Sequence, residues 1–171
     1  VDTGRVYRIR PRDAKPAGPL PDLGRLTSPE LVERLDDPNR WVRRTALRVL
    51  GDRKDSGLAP ELRRLMTSRA GRPALEALWA LHLVGGLDEA ATLAALRHVE
   101  PSVREWAARL ACDGGDATEA VAKALAEIAA SEPSVEVRAQ LAASARRLPA
   151  PQALAVVRGL MSHDEDAADP R

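Results

Sequence analysis

A short pattern of apolar and polar positions recurs three times along the chain. In each copy an acidic residue and a proline precede a Val-Arg pair, which is Val42-Arg43, Val103-Arg104 or Val137-Arg138. Further apolar residues follow each valine at +4, +7 or +8. Because that spacing places them on one face of an α-helix, the pattern predicts a repeated amphipathic helix that opens after an acid-Pro turn.

The three valines lie 61 and 34 residues apart. Such distances indicate a repeat of roughly 30 to 35 residues, with one degenerate copy between the first two. A single helix pair cannot bury its apolar face alone, so the repeats must stack on one another. The sequence therefore predicts an all-α, right-handed α-solenoid.

Apolar periodicity and helix-breaking residues divide the chain into four helix pairs and one extra helix. A hydroxyl cap and a proline in Thr27-Ser28-Pro29 mark the start of the first helix. Two later helix starts have candidate capping boxes, Ser102/Glu105 and Asp116/Glu119. The predicted helices cover residues 29–35 and 40–51, 58–68 and 73–84, 89–98 and 103–112, 117–130 and 135–147, and finally 152–162.

Both ends of the chain read differently from its middle. Residues 4–10 favour a strand, and residues 11–24 contain four prolines and two glycines, as a linker does. We expect residues 1–25 to be an extended segment left from a preceding domain and loosely packed. Residues 26–162 then form the repeat domain and 163–171 a loose acidic tail, so that the chain is a piece of a longer protein.

The charge is unevenly distributed although the formal net charge is only +1. Residues 1–72 hold 17 basic and 10 acidic residues, a net of +7, whereas residues 73–171 hold 9 and 15, a net of −6. A basic half can attract phosphates or an acidic partner. The alternative is a bipolar surface without a dedicated ligand.

The sequence offers little for catalysis or cofactor binding. Cys112 is the single cysteine, so neither a disulfide framework nor a zinc quartet can form within the chain. Gly-rich phosphate loops, nucleophile elbows and metal motifs are absent, as is any run of 18 apolar residues. We interpret Cys112 as a buried apolar residue and His82 and His98 as ordinary helical residues. The chain is expected to be no enzyme and to need no cofactor.

The helix pairs resemble HEAT repeats, on the strength of Asp37-Pro38, Val42-Arg43, Ala46, Leu50-Gly51 and their later counterparts. The second pair departs from this pattern, because Arg72-Pro73-Ala74-Leu75 lacks the Val-Arg pair. In HEAT proteins the turn acid and the second-helix arginine commonly form a ladder between repeats. The resemblance thus implies a structural ladder of Asp37, Arg43, Arg104 and Arg138, within about four HEAT-like helix pairs.

A second resemblance covers more of the chain. Residues 4–9, Gly-Arg-Val-Tyr-Arg-Ile, look like the closing strand of a sugar-dehydrogenase-like β-propeller, and helical repeats and the His163 to Arg171 tail follow. This order is similar to the middle of planctomycete-type membrane-bound dehydrogenases, which have a propeller, HEAT repeats and a c-type haem module. The resemblance implies a non-catalytic connector of an oxidoreductase, periplasmic or membrane-associated; without it the location is unknown.

One helix carries a candidate interaction surface. Arg40, Arg44 and Arg48 share a face at i, i+4 and i+8, and could contact phosphate or an acidic protein surface. The alternative is a solvated face paired with nearby acids, namely Glu33, Asp36 and Asp37. Three tryptophans lie on the second helix of a predicted pair: Trp41, Trp79 and Trp106. They could stack on nucleic-acid bases, as in HEAT-like base-excision proteins, or fill gaps in an Ala-rich core.

The last predicted helix has an apolar stripe that nothing in the following residues covers. The stripe consists of Ala153, Leu154, Val157, Leu160 and Met161. We expect it to be exposed and to allow self-association through this end. The acids of residues 163–169 offer oxygen ligands but no calcium-loop spacing, so we interpret them as solubilising. The expected function is a protein-interaction scaffold or interdomain connector; nucleic-acid binding is the other possibility.

Overall fold

The computed structural model describes residues 11–13 and 21–168, and regular structure in these residues is entirely helical. Nine α-helices occur in these ranges, together with short 3₁₀ turns at Leu23–Arg25, Arg34–Asp36, Ser56–Leu58 and Asp164–Ala168. The helices are α1 Ser28–Glu33, α2 Arg40–Arg53, α3 Ala59–Ser68, α4 Gly71–Leu83, α5 Glu89–Leu96, α6 Pro101–Cys112, α7 Glu119–Ser131, α8 Val135–Ala145 and α9 Ala150–Leu160.

The helices form two layers. Helices α2, α4, α6 and α8 pack one after another in the first layer, and α3, α5, α7 and α9 follow one another in the second. Within each pair the two helices also contact each other, as α1 does with α2 and α3 with α4. The described residues therefore form an α-solenoid of four helix pairs, with α9 continuing the second layer.

The core between the layers is made of leucine, alanine and valine. Leu31, Leu50, Leu78 and Leu125 are fully buried, and one continuous apolar cluster runs from Leu23 to Val156. Each such leucine contributes about 1.5–3 kcal/mol relative to an exposed one. Alanines fill the positions between them, which allows the two layers to approach closely.

Gly159 shows how closely the helices of the second layer approach. A Cβ atom added to it would lie 2.9 Å from Ala129 Cβ and 2.9 Å from the backbone nitrogen of Ala130. Only a glycine lets α9 lie this near the α7 backbone. The close contact fixes the position of the last helix on the array.

The core faces differ from the predicted ones by small rotations. Val42, Ala46, Leu50, Val103 and Ala107 are buried as expected, but Val49 and Leu110 are only half-buried. Leu47 and Ala108 take their places in the core. Each helix packs against neighbours in both layers, so its buried stripe is broader than a single line of residues and shifts towards the other layer.

The helix starts also differ in part. Thr27 caps α1 as expected, in a reciprocal capping box with Glu30. Helix α6, however, begins at Pro101 after Glu100, so Ser102 lies inside it, and Thr118 rather than Asp116 caps α7. Helix α6 starts at Pro101 because proline suits the first turn of a helix. Helix α7 starts after Thr118 because the Thr118 hydroxyl accepts a hydrogen bond from the Val121 backbone N–H.

The segments expected to be loose are partly packed. The predicted strand 4–10 lies outside the described residues, but Leu23 at the end of the predicted linker is buried and Arg53 donates to the Gly24 carbonyl. At the other end, His163 Nε2 lies 2.9 Å from the Ala129 carbonyl oxygen. Residues 21–25 and 163–166 therefore belong to the packed array, because each supplies a buried side chain or a hydrogen bond.

Candidate interaction surface and arginine ladder

Three buried or partly buried arginines occupy the same place in their helices. Arg43, Arg104 and Arg138 are each the fourth residue of α2, α6 and α8. In each case Nη1 donates to the two carbonyl oxygens six and five residues before it, at 2.8–3.1 Å. Each arginine therefore closes the turn that leads into its own helix.

The other side of each guanidinium reaches an acid of the next repeat. Arg104 Nε and Nη2 donate to the two carboxylate oxygens of Glu132 at 2.8 and 2.6 Å. Arg138 makes the same bidentate contact with Asp166, which also lies 28 residues further along. Such planar bidentate pairs fix orientation as well as distance, so these arginines set the spacing between adjacent repeats.

The contacts with the arginines lower the pKa values of the ladder carboxylates. Burial alone would raise the pKa of Glu132, but hydrogen bonds from Arg104 and the Ser134 amide outweigh it, so the pKa lies below its usual range. The hydrogen bond from Arg138 lowers the pKa of Asp166 in the same way. Both carboxylates are therefore charged at neutral pH and hold their arginines as ion pairs.

The first rung is built differently. Arg43 Nε donates to Glu76 Oε1 at 2.9 Å, and Glu76 lies within α4 rather than in the turn before it. Asp37 is expected as a ladder acid, but it takes part through its backbone carbonyl, which accepts a hydrogen bond from Arg43. Its carboxylate accepts a hydrogen bond from the backbone N–H of Asn39 at 2.7 Å. The aspartate thus shapes the turn instead of pairing with an arginine.

The candidate surface on α2 points away from this ladder. Arg40, Arg44 and Arg48 are all exposed, and Trp41 beside them is 47% exposed. Arg48 pairs with Asp52 at 3.2 Å. Among the residues that the structure describes, no carboxylate pairs with Arg40 or Arg44, since Asp36 pairs with Arg72 and the Asp37 carboxylate holds Asn39.

The comparison with known families agrees with the layered helices and the ladder. A family model described as HEAT repeats matches residues 28–112, from the first residue of α1 to the last of α6. Residues 28–112 therefore carry HEAT-type repeats. A search of curated proteins gives no significant match. Helices α7 to α9 lie beyond the matched residues, and they continue the same layers and the same ladder.

The second HEAT-type repeat compensates for its missing arginine. Ala74 is the fourth residue of α4, and the nearby Arg69 carbonyl instead lies 3.2 Å from His98 Nε2. Because the Glu100 amide donates to Nδ1 of the same ring, Nε2 carries the proton and donates to Arg69. His98 is therefore a buried turn residue that bridges two repeats, and our interpretation of it as an ordinary helical residue is wrong. Its signal in the sequence is its place six residues before Arg104.

The tryptophans of the HEAT-type array have two different environments. Trp79 and Trp106 are half-buried between α4 and α6, with ring centroids 5.0 Å apart at 80°. The Arg109 guanidinium covers the Trp106 ring at 5.0 Å. These two rings pack on each other and on the core, whereas Trp41 on α2 presents its ring to solvent.

The remaining candidates give no ligand site. Burial raises the pKa of the Cys112 thiol to about 11, which keeps it protonated at neutral pH. Within residues 11–13 and 21–168, no three His, Cys, Asp or Glu side chains group as metal ligands. In the same ranges, the helices lack the combination of length and apolarity that a membrane span requires.

Proposed function

We propose that this chain is a non-catalytic HEAT-type interaction module that binds an acidic protein surface through the exposed face of α2. The observation that carries the proposal is the pair Arg40 and Arg44, which is exposed and lacks an acidic partner in the described part of the chain. Like charges one turn apart destabilise a helix slightly, so a role outside the fold explains their presence better than a role within it.

The contrast with the ladder supports this assignment. Arg43 lies one residue before Arg44 and is only 8% exposed, with its donors directed to Glu76, Asp37 and Pro38. Arg43 thus stabilises the array, whereas Arg40 and Arg44, next to Trp41, are exposed and have no acidic partner among the described residues. Arginine beside an exposed tryptophan is a frequent composition of protein-binding hot spots.

A finer proposal concerns the setting of the module. The resemblance to planctomycete-type membrane-bound dehydrogenases supports a connector between a propeller and a c-type haem module, with the acidic surface supplied by one of these domains. The sequence of the natural gene tests this directly. The proposal predicts propeller repeats before residue 1 and a Cys-x-x-Cys-His motif after residue 171; a gene without both would contradict it.

The experiment for the binding surface is a charge reversal with a matched control. We compare the unchanged chain, the double variant Arg40→Glu/Arg44→Glu, and the control Arg97→Glu/Arg146→Glu, which reverses two exposed arginines elsewhere. Proteins retained from an extract of the source cells are quantified, and the binding of each purified candidate is measured by calorimetry. We expect one acidic protein that the control retains and the double variant loses by at least about tenfold.

A duplex-DNA arm separates the alternative function. Phosphate contacts would give binding that weakens steeply between about 50 and 200 mM salt. If DNA binds in this way and Arg40→Glu/Arg44→Glu abolishes that binding, the α2 surface binds nucleic acid instead of an acidic protein. If both double variants retain the same proteins as the unchanged chain, the α2 surface is not a binding site.

A further inference from the structure

A groove at the far end of the array has a chemistry opposite to that of the α2 surface. It lies between α8 and α9 and has a volume of about 680 Å³. Its floor is apolar and comes from Ala139 and Ala142 of α8, from Val157 and Leu160 of α9, and from Met161 directly after α9. Val157 and Met161 are 40% and 75% exposed, so the groove leaves apolar surface open to solvent.

The earlier repeats show what fits such a groove. Helix α8 itself packs against both α6 and α7, and it buries Val137, Leu141 and Ala145 there. These residues follow the spacing i, i+4 and i+8 on one helical face. The groove between α8 and α9 is formed by the next two helices in the same arrangement, so a helix with small and medium apolar residues at this spacing suits it.

The rim of the groove is acidic. Glu136 and Asp164 line it, and Glu165 adjoins Asp164 in the following turn. Of the two basic residues in the lining, Arg138 is held by Asp166 and by Glu165 at 3.5 Å, and His163 Nδ1 lies 3.2 Å from Glu165 Oε1. Two copies joined face to face through this groove would bring their acidic rims together, which opposes association.

From the apolar floor and acidic rim together, we infer that this groove binds an amphipathic helix of a partner protein. The apolar face of that helix has small or medium residues at i, i+4 and i+8, and lysine or arginine flanks it. This site goes beyond the proposed function, since it lies on other helices and selects a basic partner rather than an acidic one.

The probe for this site is a peptide with the sequence of residues 37–54, blocked at both ends and labelled with a fluorophore. It carries Val42, Ala46 and Leu50 at the required spacing, together with Arg40, Arg44 and Arg48. Binding to the full 171-residue chain is measured by fluorescence anisotropy. We expect saturable binding that weakens as salt rises, because the rim and the peptide carry opposite charges.

Groove variants test where the peptide binds. Val157→Asp and Met161→Asp should each weaken binding at least about tenfold. The matched control is Leu154→Asp, on the same helix and 55% exposed but outside the groove lining. Met161 is exposed enough to accept the change without unfolding, which melting curves of all three variants verify.

Any one of four results would overturn the inference. The peptide fails to bind, or Leu154→Asp weakens binding as much as the groove variants do, or the peptide variant Ala46→Asp binds as well as the original. A dimer of the chain that Met161→Asp dissolves would identify a second copy as the occupant and would likewise overturn it. None of these outcomes depends on Arg40 or Arg44 of the chain, so the α2 proposal stands or falls separately.

Discussion

At the scale of single residues, the arginines of this chain divide into two groups. Arg43, Arg104 and Arg138 each direct Nη1 to carbonyls of their own turn and Nε to an acid of the next repeat. Arg40 and Arg44 direct theirs to solvent. Position within the helix turn, rather than residue type, determines which group an arginine joins.

The first prediction concerns a ladder arginine. Replacing Arg104 by Ala leaves the Glu132 carboxylate, only 3% exposed, without its main partner. We expect the free energy of unfolding to fall by about 3 kcal/mol, as for other broken buried ion pairs. Urea denaturation measures it, with Arg40→Ala as the control, which should change stability by less than about 0.5 kcal/mol.

The second prediction concerns pH. Because the folded-state pKa of Glu132 is below its usual value, its contribution to stability is present above the unfolded pKa and is lost as pH falls through the folded one. The stability difference between the unchanged chain and Glu132→Gln should therefore shrink from about pH 6 to about pH 3. Urea titrations over that range check it; a difference that grows with acidity would contradict the ion pair.

The sequence predicts where these arginines lie in their helices but not which residues they bind. The Val-Arg pattern identifies all three positions, because each must follow a turn by a fixed number of residues. Glu76 could not be predicted, since the acid for Arg43 comes from the body of α4. For His98, which replaces the arginine that repeat two lacks, the place six residues before Arg104 marks a turn residue but does not reveal its partner Arg69. Such substitutions depend on contacts between repeats, which have no local pattern.

At the scale of elements, close helix contacts define the array. The four helix pairs and the extra helix follow from the apolar periodicity, which each helix expresses along its own length. The packed ends could not be inferred in this way. Residues 164–168 look like a solubilising tail in sequence, yet their Asp166 is the last acid of the ladder, because Arg138 reaches it from another repeat.

The third prediction tests the contact between α7 and α9. Replacing Gly159 by Ala would stabilise an isolated helix by about 1 kcal/mol. In this array the new methyl group would meet Ala129 and the α7 backbone at 2.9 Å, so we expect a net loss of about 1–3 kcal/mol. Thermal unfolding decides the sign, and Ala155→Ser on the exposed side of α9 serves as the control; a stabilised Gly159→Ala protein would refute the close approach.

At the scale of the whole molecule, the chain is a row of repeats in which each contacts its neighbours. Its charge follows the row, with the basic α2 surface near one end and the acidic rim near the other. The two surfaces therefore suit partners of opposite charge. Under the two proposals, the module would hold two proteins, or two domains of one protein, at a fixed separation.

The fourth prediction follows from this linear organisation. Replacing the buried Leu141 of α8 by Ala should cost about 2–5 kcal/mol locally. Because repeats interact only with neighbours, amide hydrogen exchange should accelerate mainly in α6 to α9 while α1 to α4 stay protected. Equal acceleration in all nine helices would instead indicate a single cooperative unit.

One set of arginines builds the array, and we propose that another remains available to a partner. Arginine-selective chemical modification of the native chain, followed by mass-spectrometric mapping, compares the two sets. We expect Arg40 and Arg44 to react at least about tenfold faster than Arg43, Arg104 and Arg138, because the first two are exposed and the other three are held by hydrogen bonds. Similar rates at Arg43 and Arg44, which are adjacent in sequence, would contradict it.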